Sequence, residues 1–234
     1  GIYIKKKIPL LCLGKKWWVF DKSLLGKTVS YGSTSAMQQV CLQLGKLIIQ
    51  SVVNTQGVAV MAAFTAVNRV DDFAYTPQQN IGHAMTTFLA QNKGAGHKER
   101  MKKGFQTGLL IELVYSIGLF CVIWGLAPQI MTLFAEDGDA QVAISYLHLI
   151  SWMYILPGLT NGVQGFFRGI GDLKVTLYST FMNMFGRVVA VFVMIRLLQM
   201  EFASLAWANM VGWIVMLLFE VPLLVKSMRN GECG

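Results

Sequence analysis

Three charged side chains in the middle of a largely apolar stretch, Arg69, Asp71 and Asp72, constrain this chain more than any other feature. They stand in NRVDDFAYTPQQNIGHAMTTFLAQNKGAG, between an apolar run from Val58 to Val67 and a weaker one that ends at Ala90. Hydropathy alone leaves the segment borderline as a membrane span, and charge placement decides the matter. If residues 58–91 did not cross, the lysines before Ser33 and the cluster Lys93, Lys98, Arg100, Lys102 and Lys103 would fall on opposite sides. Lys and Arg gather instead on the cytoplasmic side. The segment is therefore read as a span with ionisable residues inside it, and such residues face a protein interior or a water-filled path.

A composition of 54% hydrophobic and 14% charged residues belongs to the membrane class. At about 20 to 25 residues per span plus short loops, the chain has room for about six helices. The net charge of +8 does not point to a nucleic-acid partner, because the basic residues sit in short blocks between apolar runs. That placement suits cytoplasmic loops against anionic lipid headgroups. Cys12, Cys41, Cys121 and Cys233 share no metal-like or disulfide-like spacing and are read as packing residues or free thiols. The chain opens on Gly1, and IPLLCL is too short for the core of a signal peptide, so a piece of something longer or a processed product is expected.

Residues 1–30 combine seven lysines with Trp17 and Trp18, a mixture suited to the headgroup level, with Asp21 or Ser23 able to cap a short helix. Spans are expected over about 33–54, 58–90, 105–127, 141–166, 174–197 and 203–225, followed by a short tail over 226–234. In the first, Ser35, Gln39, Gln43, Lys46 and Gln50 form one polar stripe. The second is overlong and contains Pro77, which lacks the amide that would bond the Phe73 carbonyl, so a kink is expected. A basic loop follows over 92–104, and Glu112 stands in the first turns of the third span, with Pro128 near its far end. Pro157 lies in the interior of the fourth span, where Tyr154, Asn161, Gln164 and Arg168 recur at helical spacing. In the fifth, Thr176, Thr180, Asn183 and Arg187 share a face. The expected inner segments hold seven, five, two and two basic residues, 16 of the 20 Lys and Arg, which supports six spans with both ends in the cytoplasm.

The stretch AAFTAVNRVDDFAYTPQQNIGHAMTTFLAQNKGAGHKERMKKG resembles the one after the seventh helix in the multidrug and toxic compound extrusion (MATE) transporters. The shared elements are Arg69 with Asp71, then Pro77, then the turn Gln91, Asn92, Gly94, Ala95, Gly96. GFFRGIGDLK resembles a second turn of that family, here Arg168, Gly169, Gly171 and Asp172, with Gly169 and Gly171 expected to permit the reversal. The likeness covers nearly the whole chain. It implies an all-α integral membrane fold of six transmembrane helices over residues 31–225, one lobe of a twelve-helix transporter, with residues 1–30 as the cytoplasmic linker from an absent N-terminal lobe. It implies extrusion of small organic cations in exchange for H+ or Na+, in a plasma (inner) membrane, without a cofactor. The seventh and tenth helices, which carry coupling carboxylates in one branch of the family, have Gln39, Cys41 and Gln43, and Asn161 and Gln164, in this chain. The coupling acid is thus expected in the other lobe.

Arg69 and Arg187 fall about 15 Å and about 20 Å along their helices, near mid-membrane, so Arg187 could meet Asp71 or Asp72. Such a network is either a packing device or a gate, and either reading predicts damage from Arg69→Ala. The stripe of Gln39, Gln43, Lys46 and Gln50 is either a wall of the transport cleft or a set of interhelical hydrogen bonds. The 14 Phe and 13 Met suit a pliable drug pocket or plain core and lipid-facing packing. His83 has no second His or Cys a turn away, the glycines at 94 and 96 follow no strand, and no cluster has triad spacing, so an enzyme is not expected. Two other readings stay open: a lipid-linked saccharide flippase of the wider superfamily, and a truncated product without transport activity of its own.

Overall fold

A computed structural model describes residues 20–134, 140–196 and 203–229. The cysteines at 12 and 233, the lysines and tryptophans before residue 20 and the acidic loop around Glu136 lie outside the described residues. Seven α-helices follow in order: α1 (Lys22–Asn54), α2 (Val58–Gly94), α3 (Lys98–Phe134), α4 (Ala140–Ser151), α5 (Ile155–Ile170), α6 (Leu173–Arg196) and α7 (Ala203–Arg229). A 3₁₀ turn over Trp152–Tyr154 joins α4 to α5, so the two form one broken rod and the described residues make six rods. By length and composition α3, α6 and α7 are apolar enough to cross a membrane. The polar residues of α1 and α2 keep both below that mark.

The helices begin and end differently from the spacing-based bounds, for local reasons. Asp21 caps α1 by accepting from the Ser23 and Leu24 amides at 2.8 and 3.3 Å, and the helix runs unbroken into the expected first span. Residues 22–30 are therefore helical and continuous with the first span. The basic stretch expected as a loop over 92–104 is mostly helix, because α3 already starts at Lys98 and the reversal needs only residues 95–97. Gly96 makes that turn at φ +72°, a conformation that favours glycine. Residues 226–229, expected in a tail, continue α7. Pro77 and Pro128 sit inside unbroken helices, and the Tyr115 hydroxyl donates to the Ala74 carbonyl at 3.2 Å in the turn before Pro77. The break falls where Pro157 bars the preceding turn from regular bonding.

α2 and α5 approach most closely through glycines. A Cβ at Gly165 would strike the Gly82 carbonyl, and one at Gly169 would strike Leu89 and the Thr86 carbonyl. Small residues that admit backbone to backbone are the usual basis of helix pairing in lipid. Gly169 is thus a packing residue, and Gly171 alone turns the chain, at φ +88° with its amide on the Arg168 carbonyl. α6 lies along both α7 and α1.

The apolar core has two parts. One joins Ile49 and Val53 to Ala63–Ala74, Ile123–Met131, α4 and Val191; the other joins Met85 and Leu89 to Met101, Phe105, Phe166 and Leu224 at the lysine-rich end. Between them, on α2, α3 and α5, lie the buried polar side chains of Gln78, Glu112, Ser116 and Thr160. Large apolar side chains such as Leu110, Val114, Phe185 and Leu218 point outward, the inverse of a water-soluble bundle and the form lipid requires.

Candidate functional site

Buried polar side chains collect at two places besides that seam. The first surrounds Asp71, which α2 turns inward at 8% exposure. Tyr154, in the 3₁₀ turn, donates its hydroxyl hydrogen to Asp71 Oδ1. Tyr75 stacks edge-on against Tyr154 with ring centroids 5.4 Å apart and lies near Trp213 at 6.4 Å. Arg187 of α6 comes within electrostatic reach of Asp71, Tyr75 and Tyr146. Its stem passes over Gly212 of α7, where a Cβ would collide with it. Arg187 Nε and both polar atoms of Asn183, one turn earlier, are buried without a hydrogen-bond partner. Asp71 thus shares a low-dielectric pocket with an arginine that it does not saturate, an arrangement that can take up water, a small polar solute or a proton.

The second collection lies toward the lysine-rich end and ties four helices. Gln38 of α1 donates to Thr180 Oγ1 at 2.8 Å and to Gln164 Oε1 at 3.4 Å. Arg168 donates to the same Gln164 oxygen at 2.8 Å. Glu220 of α7 is wholly buried beside Arg168, with Ser179 and Gln164 next to its carboxylate but completing no hydrogen bond to it. Among the described residues, no three His, Cys, Asp or Glu converge as metal ligands.

The residues singled out in the sequence divide between these places and the surface. Asp71, Gln164, Asn183 and Arg187 are brought into them, with Asn161 half-buried where its carbonyl faces Gly82. Arg69 and Asp72 are exposed, contrary to the expectation that all three charges of the second span are buried. Helical geometry explains it: Arg69 and Asp72 share one side of α2, while Asp71 is about 100° round from Asp72. The expected damage from Arg69→Ala through an orphaned acid does not follow, because Tyr154 and Arg187, and not Arg69, attend Asp71.

On α1 the stripe also points outward. Gln39, Gln43 and Lys46 are exposed, and Gln50 is half-buried with its amide on Asn54 at 2.9 Å. The side chain that bonds to the other helices is their neighbour Gln38, which the reading of the stripe passed over. Pro77 is half-buried.

The two turns are joined to each other. Asn92 is buried and donates to the Phe88 carbonyl at 2.8 Å, the Ala95 amide donates to the Gln91 carbonyl at 3.0 Å, and Gly94 is open to solvent. Lys93 Nζ reaches the Ile170 carbonyl at 2.6 Å, just before Gly171 and the exposed Asp172. Sequence reasoning missed Gln38, Tyr75, Gln78, Tyr146 and Glu220. Glu220 at least was visible as a lone acid within WIVMLLFEVPLLV.

The sequence profile of the MatE family matches residues 35–195. The chain is 26% identical over 188 residues to the probable multidrug resistance protein YoeA of Bacillus subtilis (strain 168), covering 79% of this chain and 40% of that protein. It is 28% identical over 147 residues to the probable multidrug resistance protein YpnP of the same organism, covering 62% and 33%. Its fold matches a crystal structure of MATE in complex with MaL6 at a TM-score of 0.86 and 19% identity, over 99% of this chain and 53% of that one. It also matches an outward-facing MATE family transporter of the MOP superfamily at a TM-score of 0.80 and 18% identity, over 86% and 45%. The chain therefore spans well under half of the curated relatives and about half of the solved transporters.

Proposed function

Because this chain belongs to the MatE family, whose members are transporters and not enzymes, we propose that it forms the second of two six-helix lobes of a multidrug antiporter. That antiporter extrudes organic cations against an inward flow of H+ or Na+. The observation that carries this reading is the outward polar face of α1, where Gln39, Gln43 and Lys46 are exposed on a helix otherwise bound for lipid. A polar stripe has no stable place against acyl chains, so a water-filled cleft and an opposing wall are required. A preceding six-helix lobe provides that wall, and the match to about half of each solved transporter supports the assignment.

On this reading the lobe lies in the plasma membrane with its lysine-rich turns, Lys93–Lys103 and Lys174, in the cytoplasm. Alternating access comes from the two lobes rocking about the shared cleft, as in other transporters built of repeats. Efflux of a fluorescent organic cation from cells or vesicles carrying the whole transporter tests the proposal. Extrusion that collapses when the ion gradient is dissipated is expected. Gradient-independent loss of the dye, or none, would refute antiport.

A further inference from the structure

We propose that Glu112, in the seam between the two halves of the core, is a binding site for an exchangeable proton, held opposite the amide of Gln78. The proposal deepens the antiport reading by placing a proton site within this lobe, on a helix where no coupling acid was expected.

Glu112 is wholly buried, and neither carboxylate oxygen has a hydrogen-bond partner. Gln78, equally buried, donates through Nε2 to the Tyr154 carbonyl at 2.9 Å and to Ser116 Oγ at 3.0 Å. Those bonds fix the amide, since reversing it would press its oxygen against the Tyr154 carbonyl. Gln78 Oε1 is thereby left without a partner. Ser116 gives its own hydrogen to the Glu112 carbonyl at 2.7 Å. Gly158 of α5 opens the space: a Cβ there would press on Ser116 Oγ and Gln78 Nε2 and come within 3.5 Å of Glu112 Oε2.

The node thus holds three buried acceptor oxygens and no spare donor, and so lacks a positive centre. A bare carboxylate with no counter-charge is among the most costly groups to bury. No charged side chain among the described residues acts on Glu112. Its ionisable neighbour is Tyr115 on its own helix, whose hydroxyl is already given to the Ala74 carbonyl; the Tyr154 hydroxyl is given to Asp71. One proton cancels the charge and converts one acceptor into a donor.

The position suits exchange. Glu112 lies nine residues beyond Lys103, about 13 Å along the helix, near the middle of a core about 30 Å thick. It also lies beside the 3₁₀ break and Pro157, where the rod can bend and admit water. Irregular backbone at membrane depth is where transporters bind their ions. On release, the O–H bond of Glu112 breaks, its electron pair stays on the carboxylate, and the proton passes to water.

Infrared spectra of the whole transporter in vesicles test the site. The carbonyl band of a protonated carboxyl is expected in the unaltered protein, shifted in D₂O, absent in Glu112→Gln and retained in Glu220→Gln. Should Glu112→Gln fail to accumulate, carbodiimide labelling of the unaltered protein, mapped by peptide mass, is expected to mark Glu112. An unchanged spectrum in Glu112→Gln overturns the proposal, as does a band that never shifts in D₂O. A band abolished by sodium but not by choline overturns it in favour of a sodium site. Proton-driven efflux without the band sinks the site and leaves the antiport reading standing; the band without gradient-driven efflux does the reverse.

Discussion

The Tyr154 hydroxyl donates to Asp71 from the 3₁₀ turn that breaks the fourth rod, so one hydrogen bond fixes both the break and the inward acid of α2. The same residue accepts from Gln78 through its carbonyl, which places Tyr154 between two buried polar groups. Removing the hydroxyl in Tyr154→Phe leaves Asp71 with a vacant acceptor in a dry pocket, at a cost of about 1–3 kcal/mol. Thermal unfolding in detergent should show a clear drop. It should shrink in an Asp71→Asn background if the two residues are coupled directly.

Arginines 69 and 187 should separate cleanly. Arg69 is exposed, and Arg69→Ala is expected to change stability by no more than about 0.5 kcal/mol. Arg187→Ala removes a buried cation within electrostatic reach of Asp71 and opens space over Gly212, for a loss of about 3 kcal/mol. Equal losses in a denaturation assay would contradict the placement of these two side chains.

Much of this could be read from the chain, and the exceptions have physical causes. The six rods follow from apolar run length and from the positions of Lys and Arg, because the bilayer imposes both. Pro157 was expected inside a continuous fourth span, and the break just before it over Trp152–Tyr154 was not. Side-chain direction was less legible. Asp71 and Asp72 are adjacent in sequence but sit on different sides of α2, and a hydropathy window cannot tell which side meets protein. Gln38 and Gln39 show the same ambiguity on α1, where the bonded residue is the one outside the apparent stripe. Gln78 and Glu112 belong to different helices and come together around Gly158 only through tertiary packing, so spacing along the chain could not place them side by side.

The glycines offer a graded test of helix packing. Gly171→Ala forces an L side chain into the left-handed region and should cost about 1–2 kcal/mol. Gly165→Ala requires α2 and α5 to move apart at the Gly82 carbonyl, so it should cost more and lower the yield of folded protein. Gly118→Ala meets nothing within 4 Å and should be neutral or slightly stabilising. A thermal series that did not follow this order would mean that the α2–α5 contact does not limit stability.

Lys46 distinguishes the two uses of the polar face of α1. It is exposed in this lobe yet within electrostatic reach of Asp71. An ammonium there repels organic cations in a shared cleft unless an acid of the opposing lobe pairs with it. Lys46→Gln is therefore expected to alter both the rate of cation efflux and its dependence on external pH, while leaving stability nearly unchanged because the side chain makes no buried contact. Efflux measured over a pH series on both proteins decides the point. Identical curves would remove Lys46 from the transport path and leave the stripe as a docking face for the other lobe, since polar side chains without water or a partner would not persist on that side of the helix.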